Sequence, residues 1–171
     1  MKIYTNKINQ LFLYLDAKKI EGVLLFGPNE NLIASLCKKI KLHLGLEVRL
    51  LSGSDVLKND NLRVILSSSN LLASRELIQI TDSGSALDSK SGQILAENQN
   101  HFVVIVAKEL TASSTLRKFF EASTKLVAIA CYEDDKNNMI RYVADYMKEA
   151  NKKIHASAVE YLVANVASQE N

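Results

Sequence analysis

The hydrophobic pattern of the chain changes repeatedly between two periods, and together these predict an α/β protein. Short apolar runs, typical of strands buried on both faces, alternate with segments whose apolar residues recur every three or four positions, typical of amphipathic helices. No hairpin turns separate the runs, which favours a parallel sheet covered by helices on both faces. The five predicted strands are Gly22–Gly27, Glu47–Gly53, Arg75–Asp82, His101–Ala107 and Lys125–Tyr132.

Helices are predicted before and between these strands. The second one ends at Gly45, a residue suited to the left-handed conformation that terminates many helices, and lysines near its end complement the helix dipole. The predicted helices of this region are Thr5–Lys18, Asn29–Leu44, Asp60–Ala73, Ala86–Glu97 and Ala112–Ala122.

The polar stretch Glu133–Asn138 marks a change in organisation. After it come two amphipathic helices, one up to about Asn151 and one starting near Ala156. Two helices cannot enclose a core of their own, so they are expected to pack on the α/β domain, to pair with another chain or to remain partly frayed. The sequence predicts an α/β domain over residues 1–135 and an incomplete helical appendage over residues 136–171.

Composition removes several classes of function. The chain has 171 residues, is 47% hydrophobic and carries a net charge of +2, so DNA binding by this chain alone is not indicated, although this balance is compatible with a local basic patch. We see no signal peptide and no membrane-spanning apolar run, which predicts a soluble cytoplasmic protein. Cys37 and Cys131 lie in apolar runs and are interpreted as core residues. The three histidines lack metal-site spacing, so no metal is expected.

The stretch from Gly22 to Ile40 has the strand–turn–helix setting of a nucleotide-binding loop, but it lacks the residues that handle phosphate. A Walker A loop reads GxxxxGK[ST]. Counted from Gly27, the second glycine is Leu32, while the lysine and hydroxyl positions hold Ile33 and Ala34. A carboxylate also occupies the first turn of the helix, where it opposes phosphate binding. We therefore expect no nucleotide cofactor at the degenerate loop, whose residues are Gly27, Pro28, Asn29, Glu30, Ile33 and Ala34.

Four blocks, in this order, resemble one family: Leu24–Ile33, which holds the degenerate loop, then Asn70–Asp82, His101–Glu121 and Leu126–Asp135. That family is the δ subunit of the bacterial DNA polymerase III clamp loader, a relative of AAA+ ATPases. The resemblance implies an AAA+-like fold with a C-terminal linker helix and the start of a lid domain. The rest of the lid and the helical collar have no counterpart in this sequence.

The resemblance also implies a function. The δ subunit has no ATPase activity, binds the sliding clamp and holds one clamp interface open during DNA replication, within the DNA polymerase III holoenzyme, a nucleotidyltransferase complex. This chain is therefore not expected to be an enzyme itself. The family's clamp-binding apolar pair aligns with Leu71 and Leu72, where leucine replaces an aromatic second residue. Implied partners are the clamp and, if a collar is supplied, other loader subunits; DNA would be reached only indirectly, and a membrane not at all.

Other interpretations of the same residues stay open. Leu71 and Leu72 could pack beneath their helix as core residues. The chain could be a divergent P-loop NTPase using Glu109 or Glu133, or a remnant of a truncated or split gene. Arg117 and Lys118 are interpreted as a solvated helix face.

Overall fold

The computed structural model describes residues 1–57, 61–67, 75–81, 87, 89–108, 110–132 and 136–167. The chain divides into two compact units, Met1–Tyr132 and Glu133–Asn171. Leu71, Leu72, Glu109 and Glu133 lie outside the described residues.

The first unit contains one parallel sheet, to which the described residues contribute six strands in the order β1-β6-β2-β5-β4-β3. The predicted α/β class is confirmed, with six strands in place of five. The additional strand, β1, is two residues long, too short for periodicity to reveal, and Lys2 pairs with Ala128. The strands are β1 (Lys2–Ile3), β2 (Gly22–Phe26), β3 (Val48–Ser52), β4 (Leu77–Thr81), β5 (Phe102–Ala107) and β6 (Leu126–Ala130).

The helices of this unit follow the predicted alternation, with one addition. A short helix, α3, follows β3 directly and was not predicted; its five residues are too few to show an apolar face. The helix predicted over 60–73 is observed as α4 up to Ser67, beyond which the described residues stop. The helices are α1 (Ile8–Asp16), preceded by a 3₁₀ turn at Thr5–Lys7, α2 (Glu30–Leu44), α3 (Gly53–Leu57), α4 (Asn61–Ser67), α5 (Ser89–Glu97) and α6 (Thr115–Ala122).

Each face of the sheet has its own hydrophobic core. Leu11 of α1 and Ile40 of α2 are fully buried on one face. On the other face, Leu62 of α4, Leu95 of α5 and Phe120 of α6 are buried. The central strands β2, β5 and β6 are therefore apolar on both sides, which explains their continuous hydrophobic runs.

Parallel strands place all their starts along one edge of the sheet and all their ends along the other. We call the first the amino edge, where Gly22, Leu77 and Phe102 begin their strands, and the second the carboxyl edge, where Phe26 and Ala107 end theirs. Each connection between two consecutive strands therefore has to return from the carboxyl edge to the amino edge. Loops at the same edge of the sheet are therefore close enough to form one site, whereas loops at opposite edges are not.

The second unit contains two helices, α7 (Lys136–Glu149) and α8 (Ala156–Ala167), which pack against each other. Val159 and Val163 of α8 are buried, whereas Tyr161 is 71% exposed. None of the helices in the described part of the chain combines the length and the apolarity that crossing a bilayer requires.

Candidate functional site

The degenerate loop lies at the carboxyl edge and is pressed against the end of β6. Gly27 has a φ of 134°, and a Cβ atom at this position would overlap the backbone carbonyl of Cys131. The Gly27 amide donates to the carbonyl of Lys108, 3.3 Å away. Only glycine fits this conformation and this close approach. The packing of the loop against β6 therefore explains why glycine is required at position 27, without any role in phosphate binding.

The amides at the start of α2 are also engaged within the chain. The Asn29 amide donates to the Cys131 carbonyl at 3.0 Å, and the Glu30 amide to the Pro28 carbonyl at 3.0 Å. The Asn29 side chain caps the helix, since its Oδ1 accepts from the Leu32 amide at 2.9 Å. In a phosphate loop such amides point at the ligand. Here the protein's own carbonyl oxygens occupy them.

The side chains of the degenerate loop match this arrangement. Ile33, at the lysine position of the motif, is 7% exposed and belongs to the core beneath α2. Ala34, at the hydroxyl position, faces solvent, as does Glu30 in the first turn. A lysine in place of Ile33 would have to leave the core before it could reach a ligand.

Arg117 lies at the carboxyl edge, and its predicted position on a solvated face is wrong. Its side chain is only 15% exposed, with the guanidinium over the Phe26 ring at 4.9 Å. It donates to the Leu110 carbonyl at 3.1 Å and to Glu121 at 2.9 Å. Lys118, the next residue, is exposed as predicted. The four-residue spacing of Arg117 and Glu121 was the available sequence signal for this pairing.

The two cysteines lie in the core on the α1 and α2 face. Cys131 is fully buried, and Cys37 is half-buried against the same core, which confirms their apolar role. Burial raises the pKa of the Cys131 thiol to about 12 and that of Cys37 to about 11. Both groups are thiols at neutral pH, so neither is an activated nucleophile.

Leu71 and Leu72 belong to a segment whose described flanks are both held at the amino edge. On one side, the Asn100 side chain donates to the Leu66 carbonyl of α4 at 3.2 Å. On the other, Arg75 forms an ion pair with Glu21, the residue before β2. Both described flanks therefore lie at the edge opposite the degenerate loop.

A buried polar cluster sets the start of β5 at this same edge. Asn98 donates to the His101 carbonyl at 2.6 Å and accepts from the amides of His101 and Asn100 at 3.3 and 3.2 Å. His101 Nδ1 accepts from the Glu76 amide at 3.3 Å. Sequence reasoning missed Asn98, because a single asparagine before a strand has no distinctive spacing. Within the described ranges, no three His, Cys, Asp or Glu side chains gather as metal ligands would.

The sheet order and the nucleotide-loop setting define an AAA+-like α/β protein, and comparison with solved structures confirms this fold. The Bacillus subtilis DNA clamp loader delta protein superposes with a TM-score of 0.68 at 12% identity, over 91% of this chain and 51% of that one. The Thermotoga maritima RuvB Holliday junction branch migration motor gives 0.52 at 16% identity, over 93% and 55%. At these identities, the matches establish the fold.

The sequence comparison supplies a more specific relationship. The chain is 30% identical over 162 residues to the "Probable DNA polymerase III subunit delta" of Rickettsia prowazekii (strain Madrid E), covering 95% of this chain and 50% of the relative. No protein-family model matches the sequence. The predicted resemblance to the DNA polymerase III δ subunit is confirmed, and the chain spans about half the length of that relative.

Proposed function

We propose that this chain is a non-catalytic, δ-type component of a DNA polymerase clamp loader, which binds the sliding clamp and stabilises its open form during replication. The similarity to a δ subunit over 95% of the chain carries this proposal. Opening would follow from tighter binding to the open clamp than to the closed one, because a ligand shifts an equilibrium only by its differential affinity. The energy of ATP hydrolysis would come from other subunits of the loader.

Leu71 and Leu72 are the proposed clamp anchor. The contacts of Asn100 with Leu66 and of Arg75 with Glu21 support this role, since they fix both flanks of the segment to the amino edge. Burying one leucine side chain in a partner contributes about 1.5 to 3 kcal/mol. Two leucines together therefore contribute about 3 to 6 kcal/mol, which is enough to anchor a small interface.

The anchor can be tested with purified clamp in an equilibrium binding assay. We expect the double variant Leu71→Ala plus Leu72→Ala to bind at least about 100-fold more weakly, because two buried leucines contribute about 3 to 6 kcal/mol and each 1.4 kcal/mol is a factor of ten. The matched control is Leu13→Ala plus Leu50→Ala, which truncates two leucines that are 66% and 67% exposed elsewhere on the unit. Equal clamp affinity in the anchor variant and the native chain would refute the anchor.

We also infer that the degenerate loop binds no ATP. The engaged amides of Asn29 and Glu30 and the core position of Ile33 support this inference. The same features disfavour a P-loop NTPase. Calorimetric titration with Mg²⁺ and ATP should give no binding heat, with an active P-loop ATPase as the positive control. Saturable, magnesium-dependent binding would contradict the inference.

The remaining partners follow from the same resemblance. We propose that other loader subunits join this chain through a helical collar of the δ-subunit type. Co-purification with loader subunits, in the presence and absence of a collar segment taken from a δ subunit, tests this: retention only with the collar is the expected result.

A further inference from the structure

The charge of the chain is distributed unevenly. The first 50 residues contain eight Lys or Arg and four Asp or Glu, a net charge of +4, so the remainder of the chain carries −2. Much of the positive charge comes from five exposed lysines near the ends of α1 and α2, which we call the lysine patch: Lys18, Lys19, Lys38, Lys39 and Lys41.

The topology brings these lysines to one place. Because β1, β2 and β3 are parallel, α1 and α2 both run back to the amino edge and finish there. Two side-chain contacts show that the helix ends are neighbours. His43 Nε2 lies 2.8 Å from Asp16 Oδ1, and the rings of Phe12 and His43 are 5.1 Å apart.

The helix dipoles of α1 and α2 are too weak to neutralise the charge of five lysines. Each helix end carries about half a negative charge, so two ends offset about one of the five positive charges. Asp16, the acidic residue between the two ends, is bonded to His43. None of the five lysines forms an ion pair with a carboxylate of the described residues. The patch therefore presents a surplus of positive charge to solvent.

We propose that the lysine patch binds the phosphate backbone of duplex DNA. Lysines act as point charges on phosphates, which gives binding that depends on salt and little on sequence. The patch lies at the amino edge, where the flanks of the segment holding Leu71 and Leu72 are also attached. The choice of DNA over other polyanions rests on the proposed role at a sliding clamp.

A lipid surface fits the patch less well. Membrane-surface helices insert a continuous apolar face. The apolar faces of α1 and α2 are buried on the sheet, as Leu11 and Ile40 show, and the exposed large hydrophobic residues of these two helices are Leu13 and Leu42. Charge without a free apolar face favours a phosphate backbone.

Geometry sets the expected strength. Packed helices lie about 8 to 10 Å apart, and Lys38 and Lys41 are about 4.5 Å apart along the helix axis. A patch of this width reaches about three to five phosphates, so binding should be in the range of non-specific complexes, about 1 to 100 μM.

The test is fluorescence anisotropy with two 20-base-pair duplexes of unrelated sequence, from 50 to 200 mM salt, without clamp. One variant replaces all five lysines of the patch with glutamine. The matched control replaces five other exposed lysines, Lys118, Lys125, Lys148, Lys152 and Lys153, and so changes the net charge equally. A third variant with arginine at the five patch positions keeps the charge.

We expect the glutamine variant to bind at least about 10-fold more weakly at 50 mM salt, with a salt slope shallower by about 3, while the control changes less than about 3-fold. The arginine variant should bind like the native chain. Equal losses in the patch and control variants, or no binding by the native chain, would overturn the proposal. Patch-dependent binding to phosphatidylserine vesicles without DNA binding would do so as well. Because the clamp is absent, the result is independent of the clamp-binding test.

Discussion

The guanidinium of Arg75 is bonded to the carboxylate of Glu21 across the start of β5, the strand that lies between β2 and β4. This ion pair links Glu21, the residue before β2, to Arg75, which precedes β4. At the opposite edge, the Asn29 amide ties the start of α2 to the Cys131 carbonyl after β6. At each edge of the sheet, a contact thus connects two segments that are far apart in sequence.

The pair of Arg75 and Glu21 should stabilise the fold more than a surface pair does. The Glu21 side chain is 19% exposed and that of Arg75 36%, so solvent screens their attraction only partly. A double-mutant cycle with Glu21→Ala and Arg75→Ala, followed by urea unfolding, should give a coupling energy of about 1 to 2 kcal/mol. The control cycle uses Arg63 and Glu97, which are 3.7 Å apart and more than 60% exposed. Their coupling should stay below about 0.5 kcal/mol, and equal values for the two pairs would contradict the prediction.

Gly27 should tolerate no side chain. With a φ of 134° and the Cys131 carbonyl in the way, Gly27→Ala requires the backbone at the end of β2 or β6 to move. We expect it to lower the free energy of unfolding by more than about 3 kcal/mol, because the clash adds to the cost of the positive φ. Gly45→Ala is the control, because Gly45 also has a positive φ, 63°, but a Cβ atom there meets nothing within 4 Å. The cost of Gly45→Ala should be about 1 to 2 kcal/mol, that of placing an L-residue in the left-handed conformation. If both variants lose the same stability, close approach at Gly27 is not the cause.

Periodicity was sufficient for the layered α/β fold, because the central strands are apolar on both faces and the long helices carry one apolar stripe. It failed where an element is too short to show a period, as in β1 and α3. Candidate chemistry was less predictable. The absence of the Walker A residues is visible in the sequence itself. The hydrogen bond from the Asn29 amide to the Cys131 carbonyl is not, because Cys131 follows β6 and is distant in sequence. The burial of Arg117 could not be predicted for a similar reason, since this residue of α6 packs on Phe26, which ends β2 far away in sequence.

The Asn29 cap should contribute to the stability of α2. Its Oδ1 accepts from the Leu32 amide at 2.9 Å, and its Nδ2 lies 3.4 Å from the Tyr132 carbonyl. Asn29→Ala should lower the free energy of unfolding by about 1 kcal/mol. Ser114 is the matched cap on α6, with a longer contact of 3.4 Å to the Arg117 amide, and Ser114→Ala should cost less. A larger loss for Ser114→Ala would reverse the predicted order.

The buried thiols should make the fold sensitive to alkali. An unfolded cysteine ionises near a pKa of 9.0, whereas burial raises the pKa of Cys131 to about 12 and that of Cys37 to about 11. Above pH 9 the folded state therefore holds more protons than the unfolded state, and stability falls as pH rises. The contribution is fully present below pH 9 and is lost towards the folded pKa values. The slope should reach about 1.4 kcal/mol per pH unit for each thiol.

Urea unfolding of native chain and Cys131→Ala between pH 7.5 and 10.5 measures this effect. The variant starts from a lower stability, because Cys131 is fully buried and its loss leaves a small cavity. Above pH 9, however, the stability of the variant should fall less steeply than that of the native chain, so the two curves converge. Cys37→Ala should lessen the slope over this pH range in the same way, because burial also raises the pKa of Cys37, to about 11. Parallel curves for native chain and Cys131→Ala would mean that ionisation of this thiol is not linked to unfolding.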